Sequence, residues 1–411
     1  MRRPVALAVA SFALVTGCSS DDGEPGLGEP GTYPVPGCER VNHRPCDVHD
    51  ASCRARLMEL AACLRGSDSM PVPPFTIVTV DEYVAQANAE ILAHPPPDPN
   101  HYERALGMLG LVSPGELSPT MLSPEDVSLL GYYRNEEKDI VLVEQPMDEY
   151  SLPASQVLVH EFVHALQDRD VDLGAAAQEL VTTYDSYLGF ASVVEGEARM
   201  HETRFEASLL GLDPARIDWT ERYQNVVEFG AEYVLGGATP YSDTWGFFPY
   251  SLGSRFVNHA WQRSGAPGVR ALLESPATHS RPVLASVTDL VTDDAAEPRF
   301  TAPEPPAPWT LWGDETLGAW GVAMALSRAN RSVAMIDDAL DWRGDRLWIY
   351  ADGGSPEQTT MVWSIEFSSV EAAILAEQLL QRQSPHVALD ETRVTVASST
   401  TTDSLDWALV P

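Results

Sequence analysis

The stretch from Ser151 to Asp168, SLPASQVLVHEFVHALQD, constrains the fold more than any other. Pro153 and Ser155 suit a helix start, and the apolar residues fall on most sides of a 3.6-residue repeat, which predicts a helix buried in a core. A buried helix cannot carry His160, Glu161 and His164 at its middle unless something satisfies them. At about 100° per residue, His160 and His164 lie roughly 40° apart and one turn along, so both imidazoles can meet one ion. Glu161 sits about 60° from His164 on the same side. This is the arrangement of two zinc ligands with a carboxylate beside the metal's open position, and it predicts one Zn2+ with Glu161 as general base.

A catalytic zinc needs a third protein ligand besides water. The metzincin solution would place Gly at 167 and His at 170, where this chain has Gln167 and Asp170. The third ligand therefore comes from farther on, and the helical run AQELVTTYDSYLGFASVVEGEARMHETRFEASLL offers Glu179, Asp185, Glu195, Glu197 and Glu202. Composition does not choose among them. Asp168, four residues after His164, reads equally as a carboxylate that orients a ligand histidine or as a polar helix end.

In these features the chain resembles the gluzincin metallopeptidases, whose third ligand is a glutamate on a following helix, often followed directly by glycine. VVEGEA matches that pattern and nominates Glu195, 31 positions after His164 (195 − 164). The spacing exceeds that of thermolysin-like and aminopeptidase members and is closer to that of the bacterial collagenases. At the shorter spacing the chain has Thr183 and Tyr184, with Asp185 next, so Asp185 is the second candidate. Glu197 and Glu202 are expected to be solvated. FFPYSLGSRFV is similar to a Pro-Tyr-x-x-Gly segment of gluzincin aminopeptidases, whose tyrosine donates a hydrogen bond to the tetrahedral intermediate. The resemblance gives that role to Tyr250, with a plain core tyrosine as the other reading and Arg255 and His279 as weaker donors. The span from GLVSPGELSP to SRPVLASV also resembles uncharacterised bacterial exported proteins with HALQD and EGEA. The implied fold is α+β: a zincin-like metallopeptidase domain over 71–290, with a mixed sheet edge and a helical lower part.

The remaining chain is organised around that domain. Arg2 and Arg3 precede an apolar run, Pro4 to Val15, of signal-peptide length. Its end, LVTGC, resembles the lipobox of bacterial lipoproteins, which implies a signal over 1–17 and lipidation of Cys18; an ordinary secretory signal that leaves an odd thiol is the rival. Residues 18–37, rich in Gly, Pro and acid, read as a disordered tether. Cys38, Cys46, Cys53 and Cys63 in the 38–70 segment predict two disulfides of open connectivity, because an exported chain is oxidised and the CxxC pairs of a zinc knuckle are missing. Residues 291–308 read as a Pro-rich linker and 309–411 as a small α+β module. Trp342, Trp348 and Trp363 in that module read as core rather than as a sugar platform.

Charge narrows the partners. With 26 Lys+Arg against 60 Asp+Glu the net charge is -34, which repels phosphate backbones and excludes nucleic acid. The expected partners are a peptide or protein substrate, met by the edge of the hairpin GYYRNEEKDIVLV, and the membrane only through the lipid anchor. The expected location is the bacterial cell envelope, on the periplasmic or cell-surface side. Two other classes stay open: a lipid-anchored binding or scaffold protein with a vestigial metal site, against which an intact Glu161 argues, and a zinc hydrolase acting on a non-peptide substrate.

Overall fold

The computed structural model describes residues 28–93, 100–117, 121–127, 131–144, 154–286, 298–332, 335–401 and 405–409. The signal segment, Cys18, most of the tether and Pro153 lie outside these residues.

The cysteine-rich segment is a cap. Cys38 pairs with Cys63 and Cys46 with Cys53, with Cα atoms 5.8 Å apart in each pair. Helix α1 (Ala51–Arg65) ends at Gly66, whose left-handed φ of 63° lets its N–H reach the carbonyls of Ala62 and Cys63. Leu57, Met58, Leu60 and Leu64 of α1 are buried in one cluster with Leu158, Phe162 and Leu166. Paired cysteines place the chain in an oxidising compartment. Among the described residues no helix is long and apolar enough to cross a membrane.

Strand β1 (Phe75–Thr79), α2 (Val80–Ala93) and α3 (His101–Met108) precede the hairpin of β2 (Gly131–Arg134) and β3 (Asp139–Glu144). The sheet order is β1-β3-β2, with β1 parallel and β2 antiparallel to the central β3. Both faces of β3 are covered: Ile140 and Leu142 pack toward α1, while Val141 and Val143 join Val78 and Tyr132. The mixed pairing leaves β2 as an edge.

A helical layer follows. It comprises α4 (Ala154–Val171), α5 (Leu173–Leu180), α6 (Tyr184–Leu209), α7 (Trp219–Gly236), α8 (Pro240–Phe247), a π-helical turn at Phe248–Leu252, α9 (Gly253–Glu274) and α10 (Ser280–Ala285). Thr183 and Ser186 form a reciprocal capping box that starts α6 after the extended residues before it.

The C-terminal part contains β4 (Trp309–Glu315), α11 (Gly318–Asn330), α12 (Met335–Ala339), β5 (Trp342–Asp352), β6 (Thr359–Phe367), α13 (Val370–Leu380), β7 (His386–Asp390) and β8 (Arg393–Ser399). Its antiparallel sheet has the order β4-β5-β6-β8-β7. The molecule is thus α+β, with one mixed and one antiparallel sheet. Helix α11 is buried from Gly318 to Ser327, and Trp320 packs on Phe247 and Phe248 of the helical layer. One apolar cluster runs from Leu106 through Val194 and Trp320 to Trp363 and Val396. Trp342, Trp348 and Trp363 are buried core side chains. Residues 298–308 of the Pro-rich stretch lie along the sheet, where Phe300 packs near Trp309 and the Tyr350 hydroxyl donates to the Pro303 carbonyl over 2.8 Å.

Candidate metal centre

Helices α4 and α6 pack together and bring His160, His164 and Glu195 to one point. The ligand atoms of the three residues all lie within 4.8 Å of one another. Each histidine Nε2 is 3.3 Å from Glu195 Oε2, and all three side chains are buried. Asp185, the second candidate, is elsewhere. It stands ten residues earlier on α6, about 15 Å along the axis, where it accepts the backbone N–H of Ser280 over 2.8 Å.

The far sides of both rings are held. His160 Nδ1 is 2.9 Å from Glu202 Oε2, and Glu202 also accepts from Arg199 over 2.8 Å and from Gln156 over 3.1 Å. His164 Nδ1 is 2.9 Å from Gln167 Oε1. The Gln167 amide nitrogen donates to the Val194 carbonyl and to Glu197 Oε2, so its oxygen is the atom that faces His164. Glu197 is clamped by Arg65 of the disulfide cap over 2.8 Å. Both Nδ1 atoms therefore face acceptors and donate to them, which leaves both Nε2 atoms to meet the Glu195 carboxylate, as N–H donors in the metal-free protein and as ligands once a cation displaces those protons. Two imidazoles and a carboxylate that converge at one buried point, each held from behind, could hold a cation.

The electrostatics favour positive charge at this point, carried by the imidazoles themselves in the metal-free protein. Burial alone would lower His160, but the carboxylates of Glu195 and Glu202 outweigh it and raise its pKa to about 10. Burial likewise opposes ionisation of Glu195, yet the adjoining His164 and His160 hold it well below the usual carboxylate range. Glu161 is 1% exposed, its Oε2 has no hydrogen-bond partner among the described residues, and burial pushes its carboxyl up. Tyr250 lies in the π-helical turn, with its ring stacked on His160 at 6.2 Å between centroids. Burial and then the Glu195 charge keep its phenol protonated.

One expectation needs correction, and one open reading is decided. Glu197 and Glu202 are not solvated; they are 3% and 2% exposed. Angular separation along α6 implied a solvent face, but that helix is buried nearly all round, with α1 on one flank and α4 on another. Asp168 does not reach either histidine. It accepts from the Tyr133 hydroxyl at 2.6 Å, from Lys138 at 2.7 Å and from the Leu173 N–H at 2.9 Å, tying the β2–β3 hairpin and the start of α5 to the end of α4. Of the weaker donors, Arg255 bonds Gln224 and the Leu284 carbonyl, and His279 lies against Trp342. No family model, curated protein or solved structure matches this chain, so its function is read from the site itself.

Proposed function

We propose that the protein is a zinc-dependent peptidase of the bacterial cell envelope, zincin-like over 71–290 and anchored through Cys18. The observation that carries this reading is Glu161, a buried carboxyl next to the His160–His164–Glu195 cluster with one oxygen unpartnered among the described residues. A purely structural metal site has no use for such a group.

His160, His164 and Glu195 would hold the metal. Bound zinc supplies Lewis acidity and lowers the pKa of a water toward neutrality. Glu161 Oε2 accepts the proton of the attacking water and returns it to the leaving amine. The Tyr250 hydroxyl, kept protonated by burial, donates a hydrogen bond to the oxyanion that develops on the scissile carbonyl. Strand β2, at the edge of the sheet among the described residues, suits an extended peptide added as a further strand.

The test uses the chain without residues 1–17 and with Cys18→Ser. The metal content of the wild type and of Glu161→Gln is measured by mass spectrometry, and cleavage by digestion of a peptide library. One zinc per chain in both, with cleavage reduced on the order of 10²- to 10⁴-fold in the variant, supports the proposal. Absence of zinc, or equal cleavage, overturns it; bound zinc with no peptide cut by either protein moves the reading to a non-peptide hydrolase or a scaffold.

A further inference from the structure

A cavity of about 290 Å³ opens between α6, α7 and the turn from α8 into α9. Its lining includes Glu202 and Tyr250 but none of His160, Glu161, His164 and Glu195. The walls are aromatic and aliphatic, from Tyr223, Val226, Val234 and Phe247, and Phe229 and Tyr233 of the lining are 50% and 61% exposed. Such side chains left open to solvent beside a cavity mark a place where an apolar body is accepted.

Most polar groups of the lining are already used. Glu202 is taken by Arg199, Gln156 and His160. Asp243 accepts from Thr239, Thr203 donates to the Arg199 carbonyl, Ser254 to that of Ser251, and Tyr223 to that of Met200. Arg222 differs in one atom. Glu206 interacts with its charge, but its Nε is buried and has no hydrogen-bond partner among the described residues, a donor that an arriving acceptor would satisfy.

We infer that this cavity is a binding site for a small apolar carboxylate, with the aromatic walls around its body and Arg222 on its acid group. A planar guanidinium suits a carboxylate because two of its N–H groups can donate in parallel. The net charge of -34 opposes the approach of any anion, so a preference for an acid over its amide reports on Arg222 directly. The same chemistry occurs in a free aromatic or aliphatic acid and at the C-terminus of a peptide that ends in a large apolar residue.

The test is equilibrium binding to the full chain of 2-naphthoate, 2-naphthamide, and the tripeptide Ala-Ala-Phe with a free or an amidated C-terminus. The acid form of at least one pair is expected to bind tenfold or more tighter than its amide. Naphthoate alone identifies a free acid as the ligand, and tripeptide binding identifies a peptide end. Arg222→Met should abolish the acid preference. Val226→Trp, which fills the cavity and leaves Arg222 in place, should abolish binding of both forms, and circular dichroism confirms that each variant is folded. Saturable binding of neither acid, equal binding of acids and amides, or an acid preference that survives either substitution in a folded variant overturns the inference.

Discussion

At the scale of single residues, the centre divides into two histidines on α4 with a glutamate on α6 and supports gathered from several elements. His160, Glu161 and His164 were legible because the pitch of one helix fixes their relations whatever the surroundings. Glu195 became legible through the glycine beside it. Glu202 could have been found on α6, since steps of four and three from Glu195 through Arg199 place all three on one stripe. Gln167 and Arg65 gave no such signal, because their roles depend on how the cap meets α4. Glu202→Ala should lower zinc affinity by roughly 10- to 100-fold, the usual cost of losing the group that orients a ligand histidine. Asp168→Asn should leave zinc affinity unchanged and lower stability by about 1–2 kcal/mol, because it weakens bonds to Tyr133 and Lys138 instead. Chelator competition and thermal unfolding separate the two effects. An equal loss of zinc affinity in both variants would contradict the placement of Asp168 away from the histidines.

At the scale of elements, the two glycines singled out in VVEGEA and PYSLG belong to one contact. A Cβ on Gly196 would lie 2.4 Å from the Gly253 carbonyl carbon, and a Cβ on Gly253 would lie 2.5 Å from the Ser192 carbonyl oxygen. Helix α9 can therefore cross α6 backbone to backbone beside Glu195. The π-helical turn that leads into α9 then brings Tyr250 over His160. Motif spacing reveals each glycine but not that they meet, just as cysteine spacing left the disulfide pairing open. Gly196→Ala should force the helices apart, at a cost of about 1–3 kcal/mol for overpacking. Calorimetry of the metal-free protein measures that cost, and an unchanged melting temperature would show that the crossing is looser than described. Tyr250→Phe tests the other half of the contact: zinc content should stay at the wild-type level while kcat for a cleaved peptide falls by about 10²- to 10³-fold.

At the scale of the whole molecule, the helical layer meets the antiparallel sheet through buried acids. The loop that leads from β4 into α11 is the meeting point. Glu315 accepts the Tyr184 N–H over 2.9 Å, Asp185 accepts from Ser280, and Asp345 takes the Leu317 and Gly318 N–H groups together with the indoles of Trp342 and Trp363. Gly318 has a φ of 74°, and a Cβ there would collide with the Asp185 carboxylate. Strand and helix patterns in 309–411 were readable, but periodicity cannot show that α11, apolar on all sides, takes cover from the sheet and the helical layer together. Burial raises Asp185 to about 7 despite its bonds to Ser280, and raises Glu315 to about 7 as well. An acid whose folded pKa is raised contributes stability that is complete below its unfolded pKa and is lost as pH rises through the folded value. The joint should therefore weaken between about pH 4 and pH 7. Three pKa units on Asp185 correspond to roughly 4 kcal/mol as an upper limit. Glu195 and Glu202 act with the opposite sign, but their folded pKa values are lowered, so their contribution is lost at the acid end of the scale. Urea unfolding of the wild type and of Asp185→Asn from pH 4.5 to pH 8 isolates the effect. The variant should gain on the wild type steadily up to about pH 7 and then run parallel to it, because a neutral amide at position 185 has no charge to bury. Curves that stay parallel across the whole range would mean that ionisation of Asp185 is not what loosens the joint.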